Sequence, residues 1–329
     1  MVESGNKIKE IGGYFELADT VNFSKMPFKG VALNTCRNAL EYIILNLSYI
    51  KRVFVPYFTC EAIVEPLKRL CIDYIFYHIN ERLEIADEFD LEDGDFIIVN
   101  NYFGVKDAYI ADIAVKYGEK LIIDNAQALF APVHDGIKAI YSTRKFVGVA
   151  DGGFAVGVPS DYAFQFELDD TSQHDSHLYI RKHFGAEAGF KEYQANELKL
   201  DNQPVRRLSS KTLAILSQID YKSVIEKRRQ NYNFINDLLA ERNFLKLPSI
   251  DSFACPMVYP FYTRNKELKS ELIKNKIFVA TYWPNVLQWC DISDVEFKLT
   301  SNIIAIPIDH RYSIDDMKYI YSILNNLNR

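Results

Sequence analysis

The sequence lacks a basic excess: 38 Lys and Arg stand against 44 Asp and Glu over 329 residues, for a formal charge of −6. No basic stripe offsets that balance, which argues against a nucleic-acid surface, since phosphate backbones are held by clustered cations. Cysteine is scarce as well. The five present, Cys36, Cys60, Cys71, Cys255 and Cys290, include no CxxC pair. That odd set suggests neither a disulfide framework nor a structural zinc site, and most of the thiols read as small buried hydrophobes. Long apolar runs are also missing, and nothing approaches the roughly 18 residues of a membrane span. The opening residues, MVESGNKIKEIGGYFEL, carry charge and glycine where a secretory signal needs an apolar stretch, so a cytosolic protein without membrane association is expected.

His174, His177 and His183 lie close together in DDTSQHDSHLYIRKHFG, but this HxxH has neither the Glu nor the apolar helical face of a zinc-protease motif. The segment reads as a solvated or partner-facing loop, and no metal is expected.

What is present is an alternation of short β-branched runs and helical stretches from about residue 30 to 157, the pattern of a doubly wound, mainly parallel α/β sheet. Strands are expected at Val31–Leu33, Arg52–Val55, Asp73–Tyr77, Phe96–Val99, Lys120–Ile123, Lys138–Ser142 and Gly153–Gly157. Between the first two, residues 35–48 carry the apolar stripe Ala39, Leu40, Ile43, Ile44 and Leu47 of a helix lying on a sheet. A polar, aperiodic stretch follows from about Pro159 to Val205, then one long helical pattern over Ser209–Asn243. The remainder offers strands at Met257–Phe261, Ile277–Thr281 and Ile303–Ile308, with helices near Lys266–Lys274 and from Ile314. The expected division is a large α/β domain over 1–205, a connecting helix over 206–244 and a small α+β domain over 245–329.

Chemistry concentrates at the ends of two strands. In KLIIDNAQALF a buried-strand pattern ends in Asp124, at the carboxyl edge where open α/β sheets bind ligands. Alone, such an Asp is as often a helix cap. The next strand, in KAIYSTRKFVGVADGGFAVG, leads to Ser142 and Lys145, then to Gly152 and Gly153. Alone, Lys145 would read as a solvated loop lysine. An anion site is expected at the helix start in LNTCRNALEYIIL, where free N–H groups favour a phosphate, with Thr35 as N-cap and Cys36, Arg37 and Asn38 in the first turn. Ser142 could add a hydroxyl, although capping and turn chemistry explain Thr35 and Ser142 equally simply.

DNAQA, SxxK and the following D-G-G resemble the DegT/DnrJ/StrS sugar aminotransferases, pyridoxal-phosphate (PLP) enzymes of fold type I with the aspartate-aminotransferase architecture. The resemblance implies a Schiff-base lysine at Lys145, a pyridine-nitrogen partner at Asp124, a 3-hydroxyl contact at Gln127, and the turn at Asp151, Gly152 and Gly153. It implies the phosphate site at Cys36, Arg37, Asn38 and Ser142. VFVPYFTCEAIVEPL resembles the element that supplies a ring-stacking residue, but the usual aromatic position falls on Cys60, leaving Tyr57 or Phe58 for stacking. Asn101, in VNNYFGV, stands where the family commonly has histidine. DNQPVRRLSSK replaces an element that reaches the neighbouring subunit, with Arg206 or Arg207 as candidates and surface solvation as an equal reading. Tyr282 and Trp283 read as core or rim.

The resemblance further implies a homodimer and transfer of an amino group from an amino acid, glutamate by analogy, to a nucleotide-linked keto sugar in polysaccharide or surface-glycan biosynthesis. A PLP aminotransferase for another small ketone or amino acid is the alternative, as is a non-catalytic binding member of the fold. A lysine at 145 sets the chain apart from the sugar dehydratases of this group, which have histidine there.

Overall fold

The computed structural model of the protein describes residues 9–21, 26, 30–88, 90–250 and 254–326. The charged opening of the sequence, residues 1–8, lies outside the described residues. Among those described, the strands are β1 Ile11–Gly12, β2 Val31–Leu33, β3 Arg52–Pro56, β4 Asp73–Tyr77, β5 Asp95–Asn100, β6 Leu121–Asn125, β7 Lys138–Ser142, β8 Gly153–Val156, β9 Val258–Tyr262, β10 Ile277–Phe278 and β11 Ile303–Pro307. The helices are α1 Cys36–Leu45, α2 Val64–Arg69, α3 Asp107–Tyr117, α4 Ser176–Phe184, α5 Ala186–Leu198, α6 Ser210–Leu216, α7 Tyr221–Leu239, α8 Glu267–Lys274, α9 Val286–Trp289, α10 Val295–Asn302 and α11 Ile314–Asn326.

Seven strands form one sheet in the order β2-β8-β7-β6-β5-β3-β4. Every pair from β7 to β4 is parallel, while β8 runs antiparallel to both β7 and β2. The mainly parallel α/β sheet expected from the sequence is therefore present. Two smaller pairings lie apart from it: β9 antiparallel to β11, and β1 parallel to β10.

Near-continuous apolar runs build the sheet centre, as strands covered on both faces require. Their residues alternate between two cores, because successive side chains of a strand point to opposite faces. Ile98, Ile122 and Ile140 pack with Val53, Val55 and the α1 residues Ala39, Leu40 and Ile43. Ile97, Val99, Leu121 and Ile123 join the other core, with Tyr232 and Ile235 of α7 and Ile304 and Ile306 of β11. By the same alternation Asp124 shares the Ile122 face, toward α1, and Ser142 shares that of Ile140.

Three expectations fail. The stretch 159–205 is not aperiodic: it holds α4 and α5, which meet at Gly185 with φ 97°. Their apolar residues were misleading because Phe184, Phe190 and Leu198 face outward and draw no inward stripe. His174 and His177 are correspondingly buried rather than in a solvated loop, and burial pushes the His177 imidazole down to about 4. The single helix over 209–243 is two helices, since α6 ends at Leu216 and Asp220 starts α7 by accepting from the Ser223 N–H at 3.0 Å. The strand expected over 277–281 shortens to β10, whose two residues match the two of β1. Among the described residues no helix is long and apolar enough to cross a membrane, and no His, Cys, Asp and Glu group is arranged to hold a metal.

Candidate active site

Register brings the ends of β5 and β6 level to within one residue, while β7 runs on two residues past the level of Asp124. Asn100 of β5 pairs with Asp124 of β6, which pairs with Ile140 of β7. Asp124 is buried, and one carboxylate oxygen accepts from the Ala126 N–H at 2.8 Å. No cation among the described residues reaches ion-pair distance. Burial therefore holds its carboxyl above the usual range, with the Lys145 ammonium and the Ala126 N–H only partly opposing.

Lys145 follows β7 in a tight turn closed by Phe146 and Val147 N–H groups on the Thr143 carbonyl, at 2.9 and 3.0 Å. No hydrogen bond or ion pair among the described residues holds its amine. Its charge is felt at Asp124 and at the Cys36 thiol, which burial pushes well up. Acid, amine and the first residue of α1 thus lie within reach of one another's charge.

The loop's base explains how α1 comes so near. Gly152 donates to the Asn34 carbonyl at 2.7 Å and has φ 126°, a conformation that favours glycine. A Cβ at Gly153 would overlap the Thr35 carbonyl and the Cys36 nitrogen, so this glycine permits β8 to pass against the start of α1. Asp151 anchors the turn elsewhere, accepting from the Ser209 N–H at 2.8 Å and its hydroxyl at 2.9 Å.

Thr35 is the α1 N-cap, accepting from the Asn38 N–H at 3.1 Å. The Cys36 and Arg37 N–H groups have no intrahelical acceptor and remain for a ligand. The Arg37 guanidinium is committed to Glu65 and Asp201, at 3.1 and 2.7 Å. The Asn38 side chain is committed to Asn34 and to the Pro204 carbonyl, each at 2.8 Å. The first turn can therefore offer an anion its backbone, but not these two side chains. The buried Ser142 hydroxyl makes no hydrogen bond among the described residues.

Gln127 is buried, and its Oε1 accepts from the Phe103 N–H at 2.9 Å. That bond fixes the amide orientation and leaves Nε2 a buried donor without a partner among the described residues. The Asn100 Oδ1 is likewise a buried acceptor without one, its Nδ2 donating to Thr59 at 2.9 Å. Such orphans cost free energy and mark where a ligand group would be satisfied.

Other predicted residues go elsewhere. Tyr57 stacks between Phe76 and His78 beside β4, with ring centroids at 4.7 and 4.6 Å, and the charges around it come from residues 290–296 and Asp87. Phe58 is fully buried against Tyr102 and Trp283. Cys60, at the position where an aromatic was expected, does lie near Cys36 and Tyr282. Asn101 turns into the start of α3, donating to Asp107 at 2.6 Å. Arg206 binds Gln203 at 2.9 Å, and Arg207 the Phe166 carbonyl at 2.8 Å.

Sequence reasoning missed Asn100, Arg144 and Arg228. Arg144, beside Lys145, pairs with Glu197 of α5. Arg228 was legible, because it falls on the buried stripe of α7 with Tyr221, Val224, Tyr232 and Ile235.

No protein-family pattern and no curated protein matches the sequence. Solved structures do. A protein of Streptococcus pneumoniae named as a sugar aminotransferase, in its PMP form, superposes with TM-score 0.60 at 15% identity, over 90% of this chain and 86% of that one. A DegT/DnrJ/EryC1/StrS aminotransferase from Brucella abortus gives 0.56 at 18%, over 91% and 86%. The protein DesI, solved in the presence of its TDP-sugar product, gives 0.58 at 14%, over 90% and 80%. The likeness is one of fold: the chain has the fold type I architecture of these aminotransferases.

Proposed function

We propose that the protein is a PLP-dependent aminotransferase that moves an amino group from an amino acid, glutamate, to a keto sugar carried on a nucleotide, for glycan assembly. One observation carries this reading. Among the described residues, a buried carboxylate without a counter-cation and a lysine amine without a partner lie within reach of each other's charge near adjoining strand ends, beside an unpaired amide donor and the start of a helix.

The donor set fits pyridoxal phosphate. Lys145 would hold it covalently, Asp124 would keep the pyridine nitrogen protonated, and the Gln127 Nε2 would donate to the 3-hydroxyl. The Cys36 and Arg37 N–H groups and the Ser142 hydroxyl would take the phosphate. The side chains of Tyr57, Arg37 and Asn38 leave this set, and Cys60 joins its border. When bound, the cofactor supplies an electron sink for the substrate's α-carbon. Lys145 would move the proton at the substrate's α-carbon, and the buried Asp124 would stay anionic beside a positive charge that relieves its desolvation.

In this reading residues 1–205 form the cofactor-binding unit and 245–329 the smaller one, joined through 206–244. Outward-facing Phe164, Phe184, Phe190 and Leu198 support a homodimer, since exposed apolar side chains of this size suit an interface. The relatives' names support the sugar substrate, and DesI's product supports its nucleotide carrier.

The test is turnover with glutamate and a panel of nucleotide-linked keto sugars. Amination of at least one, with ping-pong kinetics, is expected; conversion only of free keto acids would replace the substrate assignment, and conversion of nothing would favour a binding protein.

A further inference from the structure

Arg228 lies on α7 with none of its surface exposed. Burying a guanidinium is costly unless its donors are satisfied, yet no carboxylate among the described residues is in ion-pair contact with it. Instead, Nη1 donates to the Met257 carbonyl at 2.9 Å and Nη2 to the Phe146 carbonyl at 3.2 Å. The guanidinium also sits 4.6 Å over the Phe146 ring. A cation placed at such cost to hold two main-chain carbonyls points to what those carbonyls position.

Both lead to the candidate site. Phe146 is the residue after Lys145. In the other direction, the Met257 N–H donates to the Phe103 carbonyl at 2.8 Å, and the Phe103 N–H donates to the Gln127 Oε1 at 2.9 Å. Phe103 itself adopts φ 57°, unusual for a non-glycine residue, so its peptide is held rather than free to follow. A chain of hydrogen bonds, carried through the main chain of Phe103 and Met257, therefore runs from Gln127 to Arg228 and on to the carbonyl of Phe146, the residue after Lys145.

Resting on the function proposed above, we infer that Arg228 is a positioning residue that sets the separation between the Lys145 amine and the Gln127 amide, so that both meet one cofactor ring. Arginine suits this because its rigid planar fork holds two acceptors at a fixed spacing, whereas a lysine ammonium is a point charge on a flexible stem. Small errors in such spacing are costly where two groups must grip one ligand.

The test compares wild type, Arg228→Lys, Arg228→Met, Gln127→Leu and the variant carrying both Arg228→Lys and Gln127→Leu. PLP affinity, the induced circular dichroism of bound PLP and apo-protein melting are measured for each. Arg228→Lys keeps the buried charge and serves if the Met variant fails to fold. The expected results are an affinity loss of about tenfold or more in Arg228→Lys, a weakened dichroic band, and non-additivity, with Gln127→Leu costing much less in the Arg228→Lys background than in wild type. Lowered melting with unchanged affinity and dichroism, or strictly additive losses, would make Arg228 a scaffold residue and overturn the inference while leaving the function standing. Failure of the wild type itself to bind PLP at Lys145 would overturn both.

Discussion

Two buried carboxylates in this protein end in opposite electrostatic states. Asp309 lies between the main chain and Arg311, which it binds through both oxygens at 2.7 and 3.0 Å, and the guanidinium holds its carboxyl well below the usual range. Arg311 continues to Glu16 at 2.6 Å, and Glu16 to Arg181 at 2.8 Å, closing a network between the N-terminal segment, α4 and the loop before α11. Asp124 is equally hidden but has no such cation, so desolvation wins and its carboxyl rises. Asp151 also rises, but both its oxygens are taken by Ser209. The difference separates scaffold from candidate site: the Asp309 carboxylate is paired within the folded chain, whereas under the proposed function Asp124 is completed by a positive group from outside.

The sharpest way to break that comparison is to neutralise each region in turn. Asp124→Asn should lower turnover by about a thousandfold, the scale of losing one preorganised electrostatic partner, with the fold intact by circular dichroism. Equal turnover in the variant would show that Asp124 has no counter-charge to hold. Arg311→Met should do the reverse, costing about 3 kcal/mol or more of stability by denaturant unfolding because it strands Asp309 and leaves Glu16 to Arg181 alone, with PLP affinity in the folded fraction retained. Loss of affinity without loss of stability would move the network into the site.

A smaller effect sharpens the contrast through pH. In the folded apo-protein Asp124 keeps its proton to higher pH than in the unfolded chain, so its stabilising contribution is present at low pH and lost as pH rises through the raised pKa. Apo Asp124→Asn should therefore melt higher than apo wild type at neutral pH, with the gap closing in acid. A pH-independent gap would mean that the carboxylate is already compensated.

Much of this was readable in advance, for identifiable reasons. The sheet strands announced themselves because burial on both faces demands apolar runs such as LII and FIIV, and Asp124 stood out as the polar residue ending one. The α4 and α5 helices did not, since Phe184, Phe190 and Leu198 face outward and spoil the periodic signal that folding of a single chain would give. Side-chain commitments are not written in spacing at all. Arg37 and Asn38 stand in the first turn of α1 as expected, yet Glu65, Asp201 and Pro204, far away in sequence, already hold them. Tyr57 was chosen for its ring, but the ring is taken by Phe76 and His78.

The most direct measurement is chemical. Wild-type protein incubated with PLP, reduced with borohydride and mapped by peptide mass should carry the phosphopyridoxyl label on Lys145 and on no other of its lysines. Label on a different lysine, or none at all, would contradict the claim that the unpaired acid and the unpaired amine meet at one cofactor.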